Sequence, residues 1–146
     1  MDSTSNGDGT AVELKIPCEP EYVGVARLMI LGVASRMSFP YDQVEDLRLA
    51  VGEACTSAIG RSRQAGQDKS EITVKCLIQE GKLTIQVSDS VRGSNSEAAK
   101  HSGGSEPPEG GEISALLMEI LVDEIRTESD PTAGTTVTMV KYLEGS

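Results

Sequence analysis

The acidic residue Glu53 and the hydroxyl residue Ser57 lie four positions apart in a segment, Leu47 to Ser62, whose pattern predicts a helix. Residues four apart share one face of a helix, so this carboxylate and this hydroxyl are expected to be neighbours. The apolar residues of the segment form a separate stripe: Leu47, Val51, Ala54, Cys55 and Ala58. The polar strip contains Asp46, Glu53, Ser57 and Arg61. One face is therefore predicted to pack in a core, and the other can do acid–base chemistry, although a glutamate on a polar helix face is usually only solvated.

The rest of the chain is predicted to supply a sheet and two further helices. Alternating apolar residues predict strands, and apolar residues three and four apart predict helices. The predicted elements are a strand over Ala11–Ile16, a helix from Pro20 to Ser38, a helix from Tyr41 to Arg63, a hairpin of Glu71–Gln79 and Lys82–Ser88, a helix over Glu112–Glu124, and strands over Ile125–Ser129 and Thr135–Leu143. This order predicts an α+β two-layer sandwich, with the helices on one face of a mostly antiparallel sheet.

The composition predicts one domain with a mobile insertion. A chain of 146 residues can bury a core without staples. The polar residues 1–10 are predicted to be a disordered leader and residues 11–146 a single domain. Residues 92–111 contain five Gly, four Ser and two Pro, with no apolar residue larger than Ala. Such a stretch within a compact domain is predicted to be a flexible lid.

Charge and residue usage exclude several classes of function. A net charge of −10 and the absence of Trp argue against nucleic acid as a partner. Three widely spaced cysteines fit neither a disulfide framework nor a paired-cysteine metal site, which favours a reducing cytoplasm. The acidic beginning of the chain is not a signal peptide, and the longest apolar stretch is too short to span a bilayer. A cytoplasmic protein without membrane contact is therefore expected.

The motif Glu53-Ala54-Cys55-Thr56 resembles the N box of the bacterial anti-sigma factor serine kinases, whose usual pattern is close to SEACTNAVKHA. This family is a branch of the superfamily that contains gyrase, a heat-shock chaperone, histidine kinases and mismatch-repair ATPases. The resemblance extends over about Val12 to Leu143 and includes the segments VSDS, EGG and GTTVTMVKYL. It implies the Bergerat, or histidine kinase-like ATPase, fold, in which ATP lies between the helices and the lid.

The resemblance also implies roles for individual residues. Glu53 matches the glutamate that acts as general base for the attacking serine hydroxyl, and Ser57 stands where an asparagine binds Mg²⁺. Asp89 matches the aspartate that accepts a hydrogen bond from the adenine amino group. The other expected nucleotide-binding residues are Gly110 and Gly111, whose amides would bind phosphates, and Gly134 and Thr135, which begin the last strand.

Three residues depart from the family pattern at positions that would touch the nucleotide. Ser57 replaces the metal-binding asparagine, Val91 replaces a glycine beside the base, and Ile113 replaces a glycine beside the phosphates, where Glu112 also adds a negative charge. These departures predict a weakened or lost nucleotide site. The cations Arg61, Arg63, Arg92 and Lys100 can compensate if they reach the phosphates, or can be ordinary solvated residues.

Two functions stay open at this point. The resemblance implies an anti-sigma factor that binds a sigma factor, acts as a homodimer, and phosphorylates an anti-anti-sigma antagonist on serine with ATP and Mg²⁺. The departures favour the alternative, a pseudokinase that exchanges the same partners by competition alone. A sensor histidine kinase is a poor third reading, because the one histidine, His101, lies in the predicted lid.

Overall fold

Five strands form one antiparallel sheet in the order β1-β2-β3-β5-β4. The computed structural model describes residues 9–67, 69–92 and 111–143. The elements are β1 Thr10–Pro17, α1 Val23–Arg36, α2 Tyr41–Gln64, β2 Glu71–Gln79, β3 Lys82–Asp89, α3 Gly111–Leu121, β4 Glu124–Asp130 and β5 Gly134–Tyr142, with a 3₁₀ turn over Pro20–Tyr22 before α1. The helices pack on one face of the sheet, so the predicted α+β two-layer sandwich is confirmed.

The central hairpin of β2 and β3 follows the predicted alternation of side chains. Val74 pairs with Val87, and Cys76 pairs with Ile85. All four side chains are 0–1% exposed, because they face the helices. The turn between the strands needs Gly81, whose φ of +70° lies in the left-handed region. The hairpin therefore forms the middle of the core.

Helix α2 turns its apolar stripe towards the sheet and towards the other two helices. Leu47, Val51, Ala54, Cys55 and Ala58 are at most 1% exposed, as the spacing predicted. The chain enters α2 through Ser38, which takes a left-handed φ of 70°, followed by Phe39 and Pro40. No helix in the described part of the chain has the length and apolar character needed to cross a membrane.

The third helix ends earlier than the sequence predicted. It stops at Leu121, and β4 begins at Glu124. Between them, the Asp123 backbone N–H donates to the Val140 carbonyl at 2.9 Å, and the Asp123 carboxylate accepts the Tyr142 backbone N–H at 2.8 Å. These bonds to β5 replace the next helical turn, and apolar spacing alone does not reveal them. β1 begins at Thr10, the last residue of the predicted leader. Residues 1–8, and residues 93–110 of the predicted lid, lie outside the described residues.

Gly134, the first residue of β5, is expected to tolerate no side chain. Its φ is +103°, and a Cβ there would collide with the backbone carbonyl of Asp89. We expect Gly134→Ala to lower the free energy of unfolding by at least about 2 kcal/mol, through strain and displacement of the two strands. The measurement is denaturant unfolding of the purified variants.

Gly32→Ala is the matched control, since Gly32 lies in α1 with no atom within 4 Å of an added Cβ. It should raise stability by about 0.5–1 kcal/mol, the usual gain in a helix interior. Equal stability of the wild type and Gly134→Ala would contradict the close approach of β5 to Asp89.

Candidate functional site

Helix α2 presents three of the candidate residues at successive turns of one face. Glu53, Ser57 and Arg61 are each half-buried, while the apolar stripe about a quarter-turn away is in the core. Eight residues of helix span about 12 Å, so Glu53 and Arg61 mark the two ends of a polar strip with Ser57 between them. Each end of the strip contacts a different part of the fold.

The Arg61 end of the strip meets Asp89 at the end of β3. The Arg61 Nε donates to Asp89 Oδ2 at 2.8 Å, and the Asp89 side chain is 0% exposed. The other oxygen, Oδ1, accepts the backbone N–H groups of Val91 at 3.0 Å and Thr135 at 3.1 Å. A carboxylate offers about four lone-pair positions, so three of them are used. The positive charge of Arg61 and these three donors offset the cost of burying the Asp89 carboxylate.

Three predicted site residues come together at this point. Thr135, 8% exposed, donates its backbone N–H to Asp89, and Gly134 lies against the Asp89 backbone carbonyl. Asp89 and Thr135 are 46 positions apart in sequence, and the antiparallel pairing of β3 with β5 brings them into contact.

The Glu53 end of the strip meets α3. The Ser114 Oγ donates to Glu53 Oε1 at 2.5 Å, and Ser114 is 7% exposed. The sequence analysis missed Ser114. A signal was present, because Ser114 falls in phase with the buried Met118 and Leu121 on the core face of α3, where a hydroxyl needs a partner. A carboxylate that accepts a serine hydroxyl in this way is placed to take its proton.

The residues that depart from the family pattern lie in different environments. Val91 is 2% exposed, keeps a negative φ, and is held beside Asp89 by its own N–H bond. Ile113 is 69% exposed on α3, so its side chain is mostly in solvent. Gly111 is the first residue of α3, and Gly110 lies outside the described residues.

The candidate cations also differ from one another. Arg61 forms an ion pair with Asp89 through its Nε. Its Nη2 is buried and has no hydrogen-bond partner among the described residues. Arg63 is exposed. Arg92 is exposed, and its backbone N–H and carbonyl both bond the side-chain amide of Gln67, at 2.8 and 2.6 Å. Lys100 lies outside the described residues.

A protein-only metal cage is not present in the described ranges, which hold no group of three His, Cys, Asp or Glu side chains suited to a metal ion. Ser57 offers one neutral oxygen beside Glu53. Mg²⁺ is commonly held by one or two protein ligands together with substrate phosphates and water, and a single hydroxyl fits that arrangement.

The cysteine of the motif is part of the core. Cys18, Cys55 and Cys76 are free and buried. Burial raises the pKa of the Cys55 and Cys76 thiols from 9.0 to about 12. Protonated, buried thiols are poor nucleophiles and poor metal ligands, so Cys55 contributes packing.

Comparison with known proteins shows the family of the chain. The model of the histidine kinase-like ATPase domain matches residues 16–141. The chain is 40% identical over 142 residues to the serine-protein kinase RsbW of Bacillus velezensis, which covers 92% of this chain and 86% of that protein. It is 38% identical to the serine-protein kinase RsbW of Bacillus subtilis over 143 residues, with 92% and 86% covered. The serine-protein kinase RsbW of Listeria monocytogenes is 38% identical over 141 residues, with 90% and 87% covered.

A solved structure shares the fold. The crystal structure of the RsbU and RsbW domains of a Mycobacterium tuberculosis protein superposes with a TM-score of 0.66 at 18% identity. The match covers 92% of this chain and 32% of that longer one.

The Arg61–Asp89 pair is expected to be required for stability. Arg61→Ala leaves the buried Asp89 carboxylate without its charged partner, and should lower the free energy of unfolding by about 2–4 kcal/mol. Arg63→Ala, two positions along the same helix and exposed, should change it by less than about 0.5 kcal/mol. Chemical denaturation of both variants at neutral pH measures the difference. If both substitutions have equal, small effects, the Arg61–Asp89 pair contributes nothing to the free energy of unfolding.

Proposed function

Since this chain belongs to the histidine kinase-like ATPase family, among the relatives of the serine-protein kinase RsbW, we propose that it is an anti-sigma factor with serine kinase activity. It binds and inhibits a sigma factor, and it phosphorylates an anti-anti-sigma antagonist on serine with ATP. The observation that supports the chemistry most directly is the serine hydroxyl held by Glu53 Oε1.

The two ends of the α2 strip suit the two ends of a nucleoside triphosphate. In this proposal Asp89 Oδ2 accepts the adenine amino group, which requires neighbouring side chains to move because the carboxylate is 0% exposed. Arg61 Nη2 is a donor beside it without a partner among the described residues. The amides at the beginning of α3 are oriented to bind phosphates, because the first N–H groups of a helix have no partner within the helix. Gly134 and Thr135 hold Asp89 in place from β5.

Glu53 acts as general base in this proposal. The antagonist serine donates its hydroxyl to the Glu53 carboxylate, which takes the proton while the serine oxygen forms its bond to the γ-phosphorus. The bond from that phosphorus to the bridging oxygen breaks, and ADP leaves with the electron pair. Mg²⁺, when bound, would neutralise charge on the phosphates, and we propose Ser57 as the residue that would hold it.

The alternative function, partner switching without catalysis, is favoured by the Asp89 end of the site. Val91 fills buried space next to Asp89, Arg61 already occupies one position on Oδ2, and Ser57 reaches less far than an asparagine. A chain with these features can keep both protein surfaces and still bind ATP weakly. Nucleotide affinity and phosphate transfer, measured together, separate the two functions.

Further properties follow from the relatives and from charge. We propose that the chain acts in the cytoplasm as a homodimer that binds its sigma factor across the dimer. The net charge of −10 steers basic partner surfaces towards it and disfavours nucleic acid.

Glu53→Ala should abolish phosphate transfer, a loss of about 10²–10⁴-fold, because the general base is removed. It should leave sigma binding intact, because the hydrogen-bond partner of Glu53, Ser114, lies within the same chain. Transfer of labelled phosphate from ATP to an antagonist serine is the assay. Glu45→Ala is the matched control, since Glu45 is a half-buried glutamate of α2 that pairs with Arg48 at 2.9 Å. Undiminished transfer in Glu53→Ala would remove Glu53 from the mechanism.

Restoring the family pattern at three positions should strengthen nucleotide binding. Val91→Gly, Ile113→Gly and Ser57→Asn together should tighten Mg²⁺–ATP binding at least about tenfold, or roughly 1.4 kcal/mol. The gain should come mainly from Val91 and Ser57, because Ile113 is 69% exposed and Ile113→Gly alone removes little from the site.

Calorimetry with and without Mg²⁺ measures these affinities, and thermal melting shows whether Val91→Gly still folds. Tight ATP binding by the unmodified chain would mean that the pocket is adapted to these residues, which favours the active kinase. Weak binding together with absent transfer would favour partner switching alone.

A further inference from the structure

Ser114 is a hydroxyl of this chain that lies against the proposed general base. Its Oγ donates to Glu53 Oε1 at 2.5 Å, the contact that a substrate serine needs for its proton to be removed. Ser114 is the fourth residue of α3, one turn from the amides at Gly111 that the proposed function assigns to the phosphates. The acceptor hydroxyl and the base are therefore in contact within one chain, one helical turn from those amides.

We propose that Ser114 is a phosphorylation site that this chain modifies in cis. The proposal rests on the proposed kinase function and extends it to a second acceptor. The Ser114 oxygen forms a bond to the γ-phosphorus of ATP while its proton passes to Glu53. The bond between that phosphorus and the bridging oxygen breaks, and ADP leaves with the electron pair. The products are phosphoserine 114, ADP and one proton.

The contact with Glu53 of the same chain makes the reaction intramolecular. The Ser114 hydroxyl already lies against the base of its own chain, so the base of a second molecule has no access to it. The rate per chain is consequently independent of protein concentration. A reaction between two molecules would instead speed up in proportion to concentration.

The modification has a consequence for the kinase. A phosphoserine adds about −1.5 to −2 charges at neutral pH, directly beside the Glu53 carboxylate. The phosphate then occupies the position that an antagonist serine must take, and it repels the general base. Phosphorylated chain should transfer phosphate to the antagonist at least about 100-fold more slowly, the contribution of a general base.

The test uses the full chain with Mg²⁺ and ATP labelled at the γ-phosphate, without any antagonist, followed by peptide mass spectrometry. We expect up to one phosphate per chain, located on Ser114, with a first-order rate that a tenfold change in protein concentration leaves unaltered. Ser114→Ala and Glu53→Gln should lose the label. Ser35→Ala, at an exposed serine of α1, should keep it, and Ser114→Thr should accept phosphate because it keeps a hydroxyl.

The same preparation is assayed for ATP binding by calorimetry and for transfer to an antagonist serine. If the antagonist is phosphorylated while this chain acquires no label, the Ser114 proposal is overturned and the kinase function stands. Label on another residue, or a rate that rises with protein concentration, also overturns it. Absence of ATP binding and of all transfer refutes both the kinase function and the modification. A merely structural Ser114–Glu53 bond predicts lower stability of Ser114→Ala and no label in the wild type.

Discussion

The Asp89 carboxylate is the interaction on which the arrangement of the site depends. It is fully buried, and its three donors come from three parts of the fold: Arg61 on α2, Val91 after β3, and Thr135 on β5. A buried ionised group without partners is strongly unfavourable, so each of these segments must stay where its donor reaches. The bond from Arg61 in particular fixes the position of α2 along the sheet. Arg61 and Glu53 lie on one rigid helix, so the bond from Arg61 also sets the distance from Asp89 to Glu53.

Packing decides which side of that helix faces away from the core. Small residues on α2, among them Ala50, Ala54 and Ala58, are 0% exposed, so the helix lies close to its neighbours. Its rotation about its own axis is therefore fixed, since a turn of 100° would bury Glu53 and expose the apolar stripe. The polar strip reaches α3 and the end of β3 because the core leaves it no other orientation.

The sequence predicted what depends on local pattern. The β2–β3 hairpin and the core face of α2 followed from spacing, and the resemblance pointed to Asp89, Gly134 and Thr135, which the structure brings together. The partners of Arg61 and Glu53 were not predicted. Arg61 finds Asp89 at 28 positions and Glu53 finds Ser114 at 61 positions along the chain, and helical periodicity carries no information on such distant neighbours. The early end of α3 was missed for the same reason, since backbone bonds to β5 stop it.

The partners of the two carboxylates separate their roles. Asp89 is held by a guanidinium and two backbone amides, donors that keep their protons, so it is suited to binding and not to proton transfer. Glu53 has a hydroxyl as its partner, and a hydroxyl proton can move to a carboxylate as the oxygen forms a bond to phosphorus. In the proposed function, two of the departures from the family pattern lie where they would surround the nucleotide: Val91 beside Asp89, and Ser57 between the two ends. Neither alters the contact of Glu53 with a serine oxygen. Affinity for the nucleotide and competence in proton transfer are therefore separable in this chain, and weak binding of ATP by itself does not imply a lost reaction.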